Sequence, residues 1–215
     1  MKKILRLFPM VLLCLCVLTA CSSDDGDNDG DSNSKNGVYV INGHKFVDLG
    51  LPSGLLWAEC NIGASEPEEA GYYYRWGEVE PINDDIEYKF KDGKTYTKYT
   101  KKDAKTTLEP EDDAATVLWG KNCRMPTKKE FEELVKNCKW KFAAEYGDAT
   151  VTGPNGNHIF LPKDAFTFMY RTSSFDTTYP TDECVYSLQL WRENTVVVAH
   201  TSRTFPMLVR PVAEK

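Results

Sequence analysis

Residues 124–140, RMPTKKEFEELVKNCKW, decide the fold class because they contain the clearest helix of the chain. Thr127 and Glu130 have the spacing of a capping box, in which a hydroxyl and a carboxylate bind the free amides at a helix start. Apolar residues then follow at helical spacing and predict one stripe that packs on a sheet: Phe131, Leu134, Val135 and Cys138. A shorter helix is predicted over residues 112–118.

Short strands are predicted on both sides of this helix. Residues 38–41 and 44–49 flank Asn42-Gly43, a pair that favours the type I′ turn of a β-hairpin. Further strands are predicted at 55–60, 72–79, 149–152, 158–161, 185–191, 195–200 and 208–212. Residues 82–107 show little periodicity and are interpreted as a long excursion over the surface. The predicted fold class is α+β, with short antiparallel strands, one or two packed helices and long loops.

The first 20 residues have the composition of a cleavable export signal. Lys2, Lys3 and Arg6 precede an apolar run that ends in small residues before Cys21. The run is shorter than the roughly 20 apolar residues that span a bilayer. The segment resembles a bacterial lipobox, which implies cleavage before Cys21 and acyl chains that hold this residue in a membrane. The alternative is a plain secretory signal with an incidental cysteine.

Residues 21–36 are predicted to be a lipidated acidic tether, and residues 37–215 the folded domain. The segment 22–36 has no large apolar side chain, so it cannot bury enough surface to offset the entropy of ordering. Acidic residues directly after a lipidated cysteine resemble the surface-export signal of Bacteroidota lipoproteins. This resemblance implies a lipid-anchored protein on the outer face of the outer membrane.

The same tether matches part of a calcium loop. Its alternating aspartates, followed by Gly30, have the D-x-D-x-D-G spacing that places oxygen ligands around a hard cation: Asp25, Asp27, Asp29 and Asp31. The twelfth position is Asn36, where such loops have a bidentate glutamate, and no amphipathic helix flanks it. A solvated tether is therefore favoured over a calcium site.

Charge excludes one class of partner. The formal net charge of the chain is −6, and removal of Lys2, Lys3 and Arg6 with the export signal changes it to −9. Nucleic acids and anionic headgroups require a basic surface. We therefore expect no nucleic-acid partner, and no residue pattern indicates a bound metal or cofactor.

Four cysteines remain after the export signal and the anchor: Cys60, Cys123, Cys138 and Cys184. An even number in an exported protein predicts two disulfides with three alternative connectivities. Of these we favour Cys60 with Cys138 and Cys123 with Cys184. The alternative is that some are buried thiols, since free cysteine packs as a small apolar group.

A series of local motifs resembles one family along nearly all of residues 44–212. The motifs are DLGLPSGLLWAECNIGA (48–64), YYYRWGEVEP (72–81), DDAATVLWG (112–120), RMPTKKEFEELVKNCKW (124–140), VTGPNGNHIFLP (151–162) and VRPV (209–212). They are similar to those of the Fibrobacter succinogenes major paralogous domain. The resemblance implies a C-type-lectin-like, formylglycine-generating-enzyme-like fold. The chain departs from the family pattern at Cys123, at 170–174 and at 201–206.

Two sets of side chains are candidates for sites. Charged residues beside apolar segments predict at least one structural pair between an arginine and a carboxylate: Glu78, Arg124 and Arg210. Tyrosines in the loop-rich region are expected to be exposed and are candidates to stack on a sugar ring or a partner: Tyr72, Tyr73, Tyr88, Tyr96 and Tyr99. The alternative is that these rings merely cover a loop.

Three function classes follow from these observations. The leading hypothesis is a non-catalytic binding or adhesion module for a glycan or an envelope protein. A structural subunit of an envelope or pilus assembly is the alternative, for which residues 196–198 and 205–208 are the expected apolar patch. An enzyme is the third class, with Cys184 and His200 as a conceivable pair. The reactive cysteine pair of formylglycine-generating oxidases is missing near the C-terminal end, which argues against that chemistry.

Overall fold

The computed structural model describes residues 37–83, 85–143, 147–163, 168–191 and 195–215. The predicted export signal (1–20) and tether (21–36), with Cys21 and the calcium-like aspartates, lie outside these residues and stay predictions. The described residues belong to one unit, Ser32–Lys215. Among them, no helix combines the length and the apolar character needed to cross a lipid bilayer.

The described residues form thirteen strands and two α-helices. The strands are β1 (Val38–Ile41), β2 (His44–Asp48), β3 (Leu56–Ala58), β4 (Lys91–Asp92), β5 (Thr95–Tyr96), β6 (Cys123–Arg124), β7 (Lys139–Phe142), β8 (Ala149–Thr152), β9 (His158–Leu161), β10 (Met169–Phe175), β11 (Cys184–Leu190), β12 (Val196–Ser202) and β13 (Val212–Ala213). The helices are α1 (Ala114–Trp119) and α2 (Lys128–Asn137).

The first sheet joins the beginning and the end of the described chain. Its five antiparallel strands lie in the order β1-β2-β3-β13-β6. Asn42 and Gly43 connect β1 to β2 with φ angles of 51° and 81°, as a type I′ turn requires. The predicted hairpin is therefore confirmed. Strand β13 overlaps the predicted strand at 208–212 only at Val212, so most of that predicted strand is wrong.

Helix α2 begins where the capping box predicts. The Thr127 side chain accepts a hydrogen bond from the Glu130 amide, and the Glu130 carboxylate accepts one from the Thr127 amide at 2.7 Å. Phe131 and Leu134 are fully buried, and the Phe131 ring lies 5.2 Å from that of Trp57. Together with residues such as Val47, they form the cluster that we call the main core. The helix and its apolar stripe are confirmed.

Three smaller antiparallel sheets complete the fold, in the orders β4-β5, β7-β8-β9 and β10-β11-β12. The predicted strands at 149–152 and 158–161 coincide with β8 and β9. The predicted strand at 72–79 is wrong, because the chain turns at Gly77, where φ is 78°. Small antiparallel sheets with few helices are the α+β arrangement that the sequence predicts.

Residues 82–107 do more than cover the surface. Tyr88, Phe90 and Tyr99 are buried and pack with Trp76 in a second apolar cluster. The segment returns through the β4–β5 hairpin, which pairs Lys91 with Tyr96. The prediction that this segment only runs over the surface is therefore wrong, because its buried aromatic residues form part of the protein interior.

The predicted disulfides are wrong, because all four cysteines of the described residues are free thiols. The fold places them on separate elements. Cys123 is buried on β6, Cys138 is the C-cap of α2, Cys184 begins β11, and Cys60 follows β3. The alternative of buried thiols fits Cys123 and Cys184, whereas Cys60 and Cys138 are half-buried.

The predicted apolar patch is also largely absent from the surface. Val196 and Val198 are half-buried and pack against the main core, and Met207 and Leu208 are buried. Of these residues, Phe205 retains the largest exposure, at 43%. The apolar side chains of this region therefore belong mostly to the interior of the domain.

Candidate functional site

Three arginine side chains are fully buried, and none forms an ion pair with a carboxylate of the described residues: Arg171, Arg203 and Arg210. Their guanidinium groups donate mainly to backbone carbonyls. Arg210 donates to the carbonyls of Ala58 at 2.9 Å and Phe160 at 2.8 Å, which ties β3 to β9. A buried charge is costly unless it is fully hydrogen-bonded, so these contacts fix the surrounding loops.

Arg203 lies inside a group of aromatic rings that we call the arginine cage. Five ring centroids lie 4.6 to 5.9 Å from its guanidinium carbon: those of Tyr96, Trp76, Tyr88, Phe90 and Phe175. The faces of aromatic rings carry partial negative charge and attract a cation. The rings therefore provide part of the stabilisation that water gives to an exposed arginine.

Hydrogen bonds of the arginine cage tie down one loop. Arg203 Nε donates to the Tyr88 hydroxyl at 2.9 Å, and its Nη atoms donate to the carbonyls of Tyr99 and Lys98 at 3.1 Å. The Tyr88 hydroxyl donates to the Trp76 carbonyl at 2.6 Å. Burial raises the pKa of Tyr88 to about 12, so this hydroxyl keeps its proton. The loop is therefore fastened at both ends, by Trp76 and Tyr88.

Between these two anchors the chain forms the wall of a cleft of about 330 Å³, which we call the acidic cleft. Its lining consists of Arg75, Glu78, Val79, Glu80, Pro81, Asn83, Ile86, Glu87 and Lys89. The apolar wall comprises Val79, Pro81 and Ile86, and Ile86 is 58% exposed. A concave apolar surface with a few polar groups is the usual composition of a binding site.

The cations of the acidic cleft are already paired. Arg75 Nε donates to the Glu78 carboxylate at 2.6 Å, and this carboxylate also accepts from the Lys89 amide at 2.9 Å. The Lys89 ammonium is held by a buried carboxylate outside the cleft. Glu80 and Glu87 are exposed and form no ion pair with the described residues. The acidic cleft therefore has surplus negative charge.

The buried carboxylate that holds Lys89 is Asp112. Three groups donate to it: Lys89 Nζ at 2.6 Å, Lys98 Nζ at 2.5 Å and the Tyr99 hydroxyl at 2.7 Å. Burial alone would raise the pKa of Asp112, but these hydrogen bonds outweigh burial and lower it. Asp112 thereby connects the two regions. It binds Lys89 of the acidic cleft, and it also binds Lys98 and Tyr99, whose backbone carbonyls accept hydrogen bonds from Arg203 of the arginine cage.

One group of carboxylates has the spacing of a metal site, since oxygens of Glu109, Glu111 and Asp112 lie within 4.8 Å of one another. Lys98 Nζ lies 2.7, 3.5 and 2.5 Å from these three carboxylates. Lys105 Nζ lies 2.6 Å from Glu109. An ammonium group thus takes the position that a cation would need. The arrangement is an ion-pair network, and the sequence prediction of no metal stays a prediction.

The structure separates the five candidate tyrosines. Tyr88 and Tyr99 are 6% and 0% exposed, so the expectation that they are free to stack on a ligand is wrong. Tyr88 is one of the rings of the arginine cage, and the Tyr99 hydroxyl donates to Asp112. Tyr73 and Tyr96 are half-buried. Tyr72 is 55% exposed and stays a ligand candidate.

The predicted charge pairs form with other partners than expected. Arg124 binds Glu130 through two hydrogen bonds, at 2.8 and 2.7 Å, and so supports the capping box of α2. Glu78 pairs with Arg75. Arg210 has no carboxylate partner among the described residues and relies on carbonyls and an amide. Glu78 and Arg124 therefore each form an ion pair, but the predicted pair among the three residues is wrong.

The residues considered for catalysis, Cys184 and His200, lie on neighbouring strands and on the same face of the sheet. The β11–β12 register places Cys184 opposite Ser202 and His200 opposite Tyr186. The His200 ring lies 5.1 Å from the Tyr179 ring. Burial raises the pKa of Cys184, whereas a nucleophilic cysteine needs a lowered pKa. Burial likewise raises the pKa of Cys123 and of Cys138 to about 11.

A second cleft, of about 270 Å³, lies beside the β1–β2 turn and the end of α1. The His44 ring stacks on Trp119 with centroids 3.7 Å apart and planes inclined by 5°. Burial lowers the pKa of His44, so the ring is neutral at pH 7. Lys45 and Glu59 lie 3.5 Å apart and add one charge of each sign. The lining also includes Gly43, Cys60, Ala64 and Ser65.

Comparisons with known proteins give no match, whether against family models, curated proteins or solved structures. The described residues form an α+β domain with a cleft that combines an apolar wall and surplus negative charge. A fold by itself does not determine function.

Proposed function

We propose that the protein is a non-catalytic binding module that holds a macromolecular partner in the acidic cleft. The observation that carries this proposal is the fastening of the cleft wall by Trp76 and Tyr88 to the buried Arg203. A wall that is fixed before binding loses little conformational entropy when a partner arrives. The raised pKa of Cys184 supports the choice of binding over nucleophilic catalysis.

The proposal includes the place of the protein and its finer fold. The lipobox-like segment and the acidic residues after Cys21 support a lipid-anchored protein on the outer face of the outer membrane. The family motifs support a C-type-lectin-like assignment of the α+β domain. Mass spectrometry of the mature amino terminus tests the anchor: acyl chains on Cys21 are expected, and an unacylated terminus would contradict it.

Cross-linking in cells that produce the full chain tests the binding role. A photoreactive phenylalanine derivative replaces Ile86, which is 58% exposed in the acidic cleft, or Val117 on α1, which is 47% exposed. Irradiation is expected to give a discrete adduct from position 86 and none from position 117. Equal labelling at both positions, or no adduct at either, would contradict a partner in this cleft.

The His44–Trp119 cleft favours a second candidate function, recognition of a glycan. An aromatic surface next to polar groups of both charges suits a sugar ring, which has one apolar face and many hydroxyl groups. A glycan array probed with the full chain tests it. Binding should disappear in Trp119→Ala and persist in the control Trp191→Ala, which removes an exposed tryptophan outside the cleft. Silence across the array would eliminate this candidate.

A further inference from the structure

We infer that the acidic cleft binds a polypeptide segment in which a lysine or arginine lies next to aliphatic side chains. This inference rests on the proposed function and names the partner of the same site. Three features of the cleft support it: its surplus negative charge, its apolar wall and its volume.

The charge favours a cation. Glu80 and Glu87 are the carboxylates of the lining that have no ion-pair partner among the described residues, whereas Arg75 and Lys89 are both engaged. An anionic ligand would have to displace Glu78 from Arg75, where the hydrogen bond is 2.6 Å long. A cationic ligand meets free carboxylates and displaces no internal partner, so its association gains from charge complementarity.

The wall favours an aliphatic neighbour of that cation. Each free carboxylate directly follows an apolar residue of the wall, since Val79 precedes Glu80 and Ile86 precedes Glu87. A ligand side chain that covers Ile86 removes apolar surface from water, which stabilises the complex. A polypeptide with alternating aliphatic and basic residues supplies both chemistries in one chain. A sugar supplies no positive charge, and a small inorganic cation supplies no apolar surface.

The size favours a short segment. A volume of about 330 Å³ is at the lower limit of common ligand sites and accommodates one or two side chains. The acidic cleft thus acts as an anchor point within a larger contact, as a few residues commonly dominate protein interfaces. The hydrogen bonds of Trp76 and Tyr88 hold the two ends of the cleft wall in place without the partner.

Fluorescence anisotropy with the full chain tests the inference. The probe is a labelled twelve-residue peptide of alternating leucine or valine with lysine or arginine, and the control peptide has glutamate at every basic position. The basic peptide should bind at least tenfold more tightly, and its affinity should fall with added salt. Equal affinity of the two peptides, or tighter binding of the acidic one, would overturn the inference.

Two variants link the binding to the acidic cleft. The double variant Glu80→Gln with Glu87→Gln keeps the shape of two exposed side chains and should weaken basic-peptide binding about tenfold. Glu68→Gln, which changes another exposed glutamate, should bind like the parent chain. Circular dichroism confirms that the variants are folded. Unchanged affinity of the folded double variant would overturn the inference.

The cross-linking experiment separates this inference from the proposed function. An adduct at position 86 that proteinase K shortens, together with loss of basic-peptide binding in the double variant, supports both. An adduct that proteinase K leaves intact and glycosidases degrade overturns the polypeptide partner, while the binding role of the cleft stands. Absence of any adduct, together with absence of peptide binding, overturns both.

Discussion

The main core and the arginine cage both bury large side chains, but different interactions hold them together. In the main core, Phe131 and Leu134 of α2 pack on Trp57 through apolar contact. In the arginine cage, rings surround the Arg203 guanidinium, which also donates to carbonyls of distant loops. Apolar contact depends on shape and is non-directional, whereas the guanidinium requires each acceptor at a fixed position. The main core should therefore tolerate conservative repacking that the arginine cage does not.

The largest expected effect is that of Arg203→Met. Methionine has a similar length and is apolar, but it leaves the Tyr88 hydroxyl and the carbonyls of Tyr99 and Lys98 without their donor. Unsatisfied buried groups cost enough that we expect a loss of about 4 kcal/mol in the free energy of unfolding. Urea denaturation followed by tryptophan fluorescence measures it. A loss below about 1 kcal/mol would show that the rings alone hold this region together.

Leu134 provides the matched test in the main core. Leu134→Ala should lower the free energy of unfolding by about 3 kcal/mol, because it leaves a cavity beneath α2. Leu134→Met, which nearly conserves volume, should cost less than about 1.5 kcal/mol. The same denaturation experiment serves for both variants. If Leu134→Met were as damaging as Arg203→Met, the proposed difference between the two regions would not hold.

Tyr88→Phe isolates the hydrogen bonds that fasten the acidic cleft. The change removes the hydroxyl that accepts from Arg203 Nε and donates to the Trp76 carbonyl. We expect a loss of about 2 kcal/mol in stability, because both partners stay buried without a replacement. Tyr72→Phe, at an exposed position, should change stability by less than about 0.5 kcal/mol. Equal effects of the two changes would contradict the anchoring role of Tyr88.

Acid should weaken the link between the acidic cleft and the arginine cage. The pKa of Asp112 is lowered in the folded state, so its contribution is present above the unfolded pKa of about 3.9 and is lost as pH falls through the lower folded pKa. The free energy of unfolding should decline below about pH 4, and Asp112→Asn should show a shallower decline by about 1 kcal/mol. Denaturation curves from pH 6 to pH 2.5 measure this. Identical slopes would contradict it.

The smallest expected effect is that of a reducing agent. Cys60, Cys123, Cys138 and Cys184 are free thiols. Dithiothreitol should therefore leave the midpoint of thermal unfolding unchanged. Differential scanning calorimetry with and without the reagent measures the midpoint. Alkylation of the denatured chain followed by mass spectrometry should find all four cysteines modified. A midpoint that falls on reduction would restore the disulfide prediction.

Local signals in the sequence predict the main core well. The capping box of Thr127 and Glu130, the spacing of Phe131 and Leu134, and the Asn42-Gly43 turn each involve neighbours along the chain. Such signals depend on backbone geometry over a few residues. They consequently predict α2, the first hairpin, β8 and β9 close to their observed bounds.

The arginine cage and the acidic cleft escape prediction because their partners are distant in sequence. Arg203 and Arg171 are single basic residues in polar or mixed segments, a pattern that normally indicates an exposed side chain. Tyr88 and Tyr99 lie in a segment without periodicity, so nothing local indicates that they are buried. The nearest available signal is the density of aromatic residues between 72 and 99, which in the sequence fits a ligand surface and a loop cover equally well.

Arg203 also determines when the acidic cleft can exist during synthesis. The cleft wall leaves the ribosome more than 100 residues before its anchor, since Tyr88 and Arg203 are 115 positions apart. A nascent or prematurely ended chain that lacks Arg203 keeps the hydrogen bond between Tyr88 and Trp76, but it has no guanidinium to hold the Tyr88 hydroxyl from the other side. Full anchoring of the cleft wall therefore requires a chain synthesised at least as far as Arg203.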